Sequence, residues 1–159
     1  MDSGGVQQNL LMATDANFQA KTGYALLGSA ESLEHLQQVI TGHAHATLIF
    51  IDACRNIPVV ARRGLGGRGF APIDASAFDG AFVVISTRQG KMADDGEAGQ
   101  GSPFARAVAK VLPTPDLRIE DAYYLIRDEV SAETSGAEVP DLIRSDLPKG
   151  GLVLARQKP

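Results

Sequence analysis

The chain has 159 residues, 44% of them hydrophobic and 21% charged, with a formal net charge of −4. That length suits one domain, and the composition can bury a core, which excludes a disordered or collagen-like chain. A mildly acidic balance also argues against a general nucleic-acid binder.

Along the chain, four short apolar runs read as buried strands: Asn9–Ala13, Thr47–Asp52, Ala81–Ser86 and Leu152–Ala155. They lack polar alternation, as strands covered on both faces do. The first follows almost at once on Met1, so the start reads as the middle of a domain with its beginning missing. Helical spacing then joins Leu33, Leu36, Gln37 and Ile40, with Gly42 as the stop. Ser102-Pro103 is an N-cap followed by proline at the first helical position, and Phe104, Ala107, Val108, Val111 and Leu112 form the buried stripe behind it. Ile119, Ala122, Tyr123, Ile126 and Val130 repeat that stripe in a third helix. Strands alternating with helices predict an α/β layer fold with a largely parallel sheet.

No apolar run approaches the roughly 20 residues that span a bilayer, and no signal peptide is evident. The single cysteine, Cys54, excludes an internal disulfide and a multi-cysteine metal site. A cytoplasmic setting is the expectation, without membrane or nucleic-acid partners.

Two glycine-rich stretches follow strands, where ligand sites of open α/β sheets lie. One is the basic Arg62–Gly69, the other the acidic Gly90–Gly101. Gly64-Leu65-Gly66-Gly67-Arg68-Gly69 fits a dinucleotide fingerprint in letters only. Neither a strand directly before it nor a helix directly after it is predicted, so it reads as a loop. Cys54 ends the second strand in Asp52-Ala53-Cys54-Arg55-Asn56. A lone cysteine is often a small buried hydrophobe. Strand alternation, however, puts Asp52 and Cys54 on one side at the carboxyl edge of the sheet, among ionic groups, where a thiol suits chemistry. The residues alone leave both readings open.

Asp52-Ala53-Cys54-Arg55-Asn56 resembles the nucleophile motif of the caspase-like cysteine peptidases, with aspartate and asparagine where the caspase form Q-A-C-[RQG]-G has glutamine and glycine. The bacterial caspase and metacaspase branch is the nearest in pattern. The likeness continues in Ser3-Gly4-Gly5-Val6-Gln7 with Asn9-Leu10-Leu11 and Thr14-Asp15-Ala16, similar to the family stretch after its histidine. It extends to Ser86-Thr87-Arg88-Gln89-Gly90, similar to its Ser-Thr-Ala-Pro-Gly turn, to Gly101-Ser102-Pro103-Phe104, and to Val139-Pro140 with the closing strand.

The resemblance implies a caspase-like sandwich over residues 1–159, a mostly parallel sheet with helices on both faces, incomplete at its N-terminus. Residues 59–74 would be the inter-subunit linker. It implies a Cys–His endopeptidase with Cys54 as nucleophile, and the backbone N–H groups of Gly5 and Cys54 as oxyanion hole. The histidine does not carry over, since Ser3-Gly4-Gly5 stands where the family has Ser-Gly-His-Gly. His43 and His45 precede the strand that Cys54 ends, at the wrong end of the sheet, and His35 lies on the first helix.

Asp52 occupies the metacaspase position for a carboxylate under a P1 Arg or Lys, with Ser86 as a second substrate-binding residue. Arg62, Arg63 and Arg68 in the linker then become candidate sites of self-cleavage. No cofactor is expected. Some metacaspases use calcium, but adjacent Asp94 and Asp95 fall short of the six to eight oxygens that calcium takes. Partners would be protein or peptide substrates, with fused or regulatory domains outside this chain. The competing reading is a non-catalytic caspase-like binding or assembly module. A phosphoacceptor domain built on Asp52 fits less well, since the acidic cluster it needs is missing.

Overall fold

The computed structural model of the chain describes residues 9–12, 30–40, 44–53, 73–88, 91, 93, 96–97 and 99–157. Two short strands, β1 (Leu10–Met12) and β2 (Ala30–Ser32), pair antiparallel, and helix α1 (Leu33–Ile40) follows directly. Strand β3 (Thr47–Ile51) leads to a 3-10 turn at Ala75–Phe78 and to β4 (Ala81–Ile85). Helices α2 (Pro103–Val111) and α3 (Ile119–Glu133) precede β5 (Asp141–Ser145).

β3, β4 and β5 form one sheet in that order. β3 and β4 run parallel, from Thr47 opposite Ala81 to Ile51 opposite Ile85, while β4 and β5 run antiparallel. The register slips between Val83 and Val84, so Ile143 is an extra residue on β5.

Every residue of β4 is buried, because the strand is central and both faces are covered. Phe82 and Val84 point into a core with Phe104, Ala107 and Val111 of α2 and Ile119, Ala122, Tyr123, Ile126 and Val130 of α3. Ala81, Val83 and Ile85 point the other way, toward Leu33 of α1, Ile73 and Phe78. This is the expected α/β sandwich, with helical layers on both faces of the sheet.

The two later helices match their sequence stripes closely. Ser102 caps α2 by accepting a hydrogen bond from the Ala105 N–H at 2.9 Å, with Pro103 at the first helical position. The antiparallel α2–α3 pair is laced outside by Lys110–Glu129 at 2.5 Å and by an Arg106–Glu133 ion pair. Helix α1 departs from its expected stripe. Leu33 is buried, but Ile40 is 41% exposed, so only the first turn seats against the sheet.

The strands depart further. Among the described residues the sheet is mixed, with one parallel and one antiparallel pair, rather than largely parallel. Its third member is Asp141–Ser145 and not Leu152–Ala155. The latter segment makes one bridge, Val153 to Arg118, and its Leu152 carbonyl accepts from the Ile119 N–H at the start of α3. Gly150 and Gly151, at φ +101° and +74°, turn the chain just before it. A Cβ on Gly151 would crowd the Arg118 guanidinium, but that is the far end of a flexible, half-exposed side chain, so the positive φ is what calls for glycine there. β5 itself was hidden by its composition, DLIRS, with polar residues at both ends. No described helix is long and apolar enough to cross a membrane.

Candidate active site

The parallel pair β3–β4 creates the site's frame. Both strands end on the same edge, and the Ser86 N–H donates to the Ile51 carbonyl at 2.9 Å, which carries the ladder one residue beyond β4. Leu48 and Phe50 pack toward α2 and α3, whereas Ile49 and Ile51 face the opposite layer. Continuing the alternation turns Asp52 toward α2. Ser86, next in the series Phe82, Val84, faces the same way.

The contact that Asp52 makes agrees with this. The Ser102 hydroxyl donates to Asp52 Oδ2 at 2.5 Å while accepting from the Ala105 N–H. One hydroxyl therefore caps α2 and tethers the acid at the end of β3. Asp52 itself is exposed, and its Oδ1 has no hydrogen-bond partner among the described residues. A carboxylate buried at the floor of a pocket is therefore not what the structure shows at Asp52. Ser86 is fully buried, and its Oγ has no partner among the described residues. Thr87 beside it is buried as well.

The segment leading to Ser102 is braced. Gly96 takes φ +73°, and a Cβ there would stand 2.1 Å from the Gly101 carbonyl oxygen. Arg106 holds that same oxygen from inside α2 and pairs with Glu133 of α3. An open cavity of about 560 Å³ lies beside this brace, between Glu97, Arg106, Glu133 and Glu138. Asp52, Ser86 and Ser102 are not in its wall.

Several sequence-derived assignments fall outside the described residues: Gly5, Cys54, His43, Arg62, Arg63, Arg68, Asp94 and Asp95, and most of the 59–74 linker. Of the histidines that are described, His35 is exposed and its Nδ1 lies 2.6 Å from Glu31 Oε1. That hydrogen bond is the main cause holding the Glu31 carboxyl below its ordinary value. His45 is exposed and precedes β3, at the end of the strand opposite Asp52. Strand β3 lies between the two and alone spans about 16 Å. Among the described residues, no group of three or more His, Cys, Asp or Glu side chains could hold a metal ion.

Sequence reasoning brought Asp52 and Ser86 to one edge, but it read Ser102 only as a helix cap. The signal for more was present: an N-cap serine after a glycine-rich loop, following the strand next to the one that carries Asp52.

A search of curated proteins returns no match for the chain. A scan against protein-family models matches the caspase domain over residues 4–150. The match runs from the Gly4-Gly5 pair to the Gly150 turn and takes in Asp52, Cys54, Ser86 and Ser102, so the chain belongs to the caspase domain family.

Proposed function

We propose that this chain is a caspase-like cysteine endopeptidase domain of the metacaspase type, in which Cys54 is the nucleophile and Asp52 selects Arg or Lys at P1. One observation carries the specificity: an exposed carboxylate at the carboxyl end of the parallel pair, with Oδ2 held by Ser102 and Oδ1 without a partner among the described residues. Such an oxygen suits a guanidinium or ammonium.

The Cys54 thiolate attacks the scissile carbonyl carbon, and the negative charge moves to oxygen, where the N–H groups of Cys54 and Gly5 would hold it. Collapse expels the amine, which takes a proton, and leaves a thioester that water hydrolyses. The proton transfers call for an imidazole. His35, paired with Glu31, and His45, at the far end of β3, do not fit that role. With the sequence, which places His43 beyond His45 and no histidine between Gly4 and Gly5, this favours low turnover by the chain on its own, and it is the basis of the second reading, a caspase-like module that binds without cleaving.

The test is hydrolysis of peptide reporters ending in Arg, Lys or Asp. The chain is expected to turn them over negligibly. A variant with histidine inserted between Gly4 and Gly5 is expected to gain turnover after Arg and Lys that Cys54→Ala abolishes. Robust turnover that survives Cys54→Ala would overturn the nucleophile, and cleavage after Asp would overturn the pocket.

A further inference from the structure

The geometry points to Ser102 as a positioning residue for P1 recognition, holding the Asp52 carboxylate so that Oδ1 faces a basic side chain. This rests on the reading of Asp52 as the P1 acid. Three observations carry it. The Ser102 hydroxyl has one proton and gives it to Asp52 Oδ2, while its acceptor side takes the Ala105 N–H. Its rotamer is therefore fixed from both directions. Ser102 is 7% exposed and Asp52 is exposed, so a rigid, buried donor restrains a carboxylate that would otherwise sample several rotamers in water. The donor's own backbone is fixed by the Gly96–Gly101 packing and by Arg106 on the Gly101 carbonyl.

A further consequence is that Asp52 and Ser102 belong to different halves of the chain, 50 residues apart on either side of the 59–74 segment. The P1 acid is thus oriented by the half that does not carry it. Preorganisation of this kind raises selectivity by removing the cost of ordering the acid when the cation arrives.

The measurement is the rate at which Cys54 is alkylated by two peptidyl chloromethyl ketones, one with P1 Arg and one with P1 citrulline, its neutral isostere. Intact mass follows the reaction, and each rate is normalised to iodoacetamide. Asp52→Asn is expected to bring the Arg-to-citrulline ratio close to one. Ser102→Ala and Ser102→Gly are expected to lower that ratio about 3- to 30-fold, and Ser102→Thr, which keeps the hydroxyl, to restore most of it. Glycine is itself an acceptable N-cap, so Ser102→Gly removes the donor with little harm to α2.

If Asp52→Asn abolishes the preference and Ser102→Gly leaves it whole, the positioning role is wrong while the P1 reading stands. If the native chain shows no preference for the Arg reagent over the citrulline reagent, the P1 reading fails and this proposal with it.

Discussion

Replacing Ser102 with alanine removes two interactions through one oxygen. The first is the N-cap of α2, a loss that costs about 0.5–2 kcal/mol. The second is the hydrogen bond to Asp52 Oδ2. Bonds to charged groups reach about 1.5–3 kcal/mol, but Asp52 is exposed and its oxygen returns to water, so about 0.5–1 kcal/mol is the appropriate share. The sum is about 1–3 kcal/mol. With a urea m-value near 2 kcal/mol/M, the midpoint of unfolding should fall by about 0.5–1.5 M. Ser102→Gly separates the two terms, because glycine as N-cap loses only a few tenths of a kcal/mol. A double-mutant cycle of Ser102→Ala with Asp52→Ala should show a coupling of about 0.5–1 kcal/mol. Alanine at 102 that leaves the midpoint unchanged, or strictly additive single variants, would refute the bridging role of this hydroxyl.

Phe82→Ala should cost about 3–5 kcal/mol by denaturant unfolding, since the ring is fully buried between α2 and α3 and tilts against Phe50 at 6.5 Å; a loss under 1 kcal/mol would contradict that core. Asp146 accepts from Arg144 and from the Gly80 N–H, and the Arg144 bond is the main cause holding its carboxyl below the ordinary 3.8. Because the folded value is lowered, its stabilisation is present above about pH 4 and is lost as the pH falls through the folded value. Asp146→Asn should therefore lower Tm at pH 6 and flatten the decline of Tm below pH 4, as seen in melting scans across pH. Asp52→Asn should reduce the reactivity of Cys54 with a P1 Arg reagent about 10- to 100-fold. This is the range of one charge-assisted hydrogen bond, not the larger loss of a buried pair, since Asp52 is exposed. If Arg62, Arg63 or Arg68 is a self-cleavage site, a histidine-restored variant should yield two fragments by intact mass, absent after Cys54→Ala.

Periodicity served best where burial was one-sided and long. The stripe from Ile119 to Val130 and the Ser102-Pro103 start of α2 appear as the sequence predicts, because capping and helical spacing are local properties. β3 and β4 were legible as apolar runs for a related reason, both faces of the sheet being covered. β5 was not, because a strand with a register slip, at the edge of the sheet among the described residues, carries Asp141, Arg144 and Ser145 and dilutes its own signal. β2 is three residues long and gives almost no pattern. Leu152–Ala155 looked like a strand and instead satisfies the start of α3, a tertiary use that four apolar letters do not reveal. At the site, alternation put Asp52 at the carboxyl edge of the sheet, and the packing of Phe50 shows that its side faces α2. Its partner Ser102 lies 50 residues away, and the packing of α2 on the Phe50 face of the sheet brings the two into reach.

If Cys54 is the nucleophile and its neighbour Asp52 selects a basic P1 residue, one labelling experiment must show both. Incubation with equal concentrations of P1 Arg and P1 Asp peptidyl chloromethyl ketones, followed by mapping of the adduct by peptide mass, tests this most directly. One adduct is expected, on Cys54, formed from the Arg reagent in large excess and absent from Cys54→Ala. Equal labelling by both reagents, a preference for the Asp reagent, or labelling that persists in Cys54→Ala would contradict it.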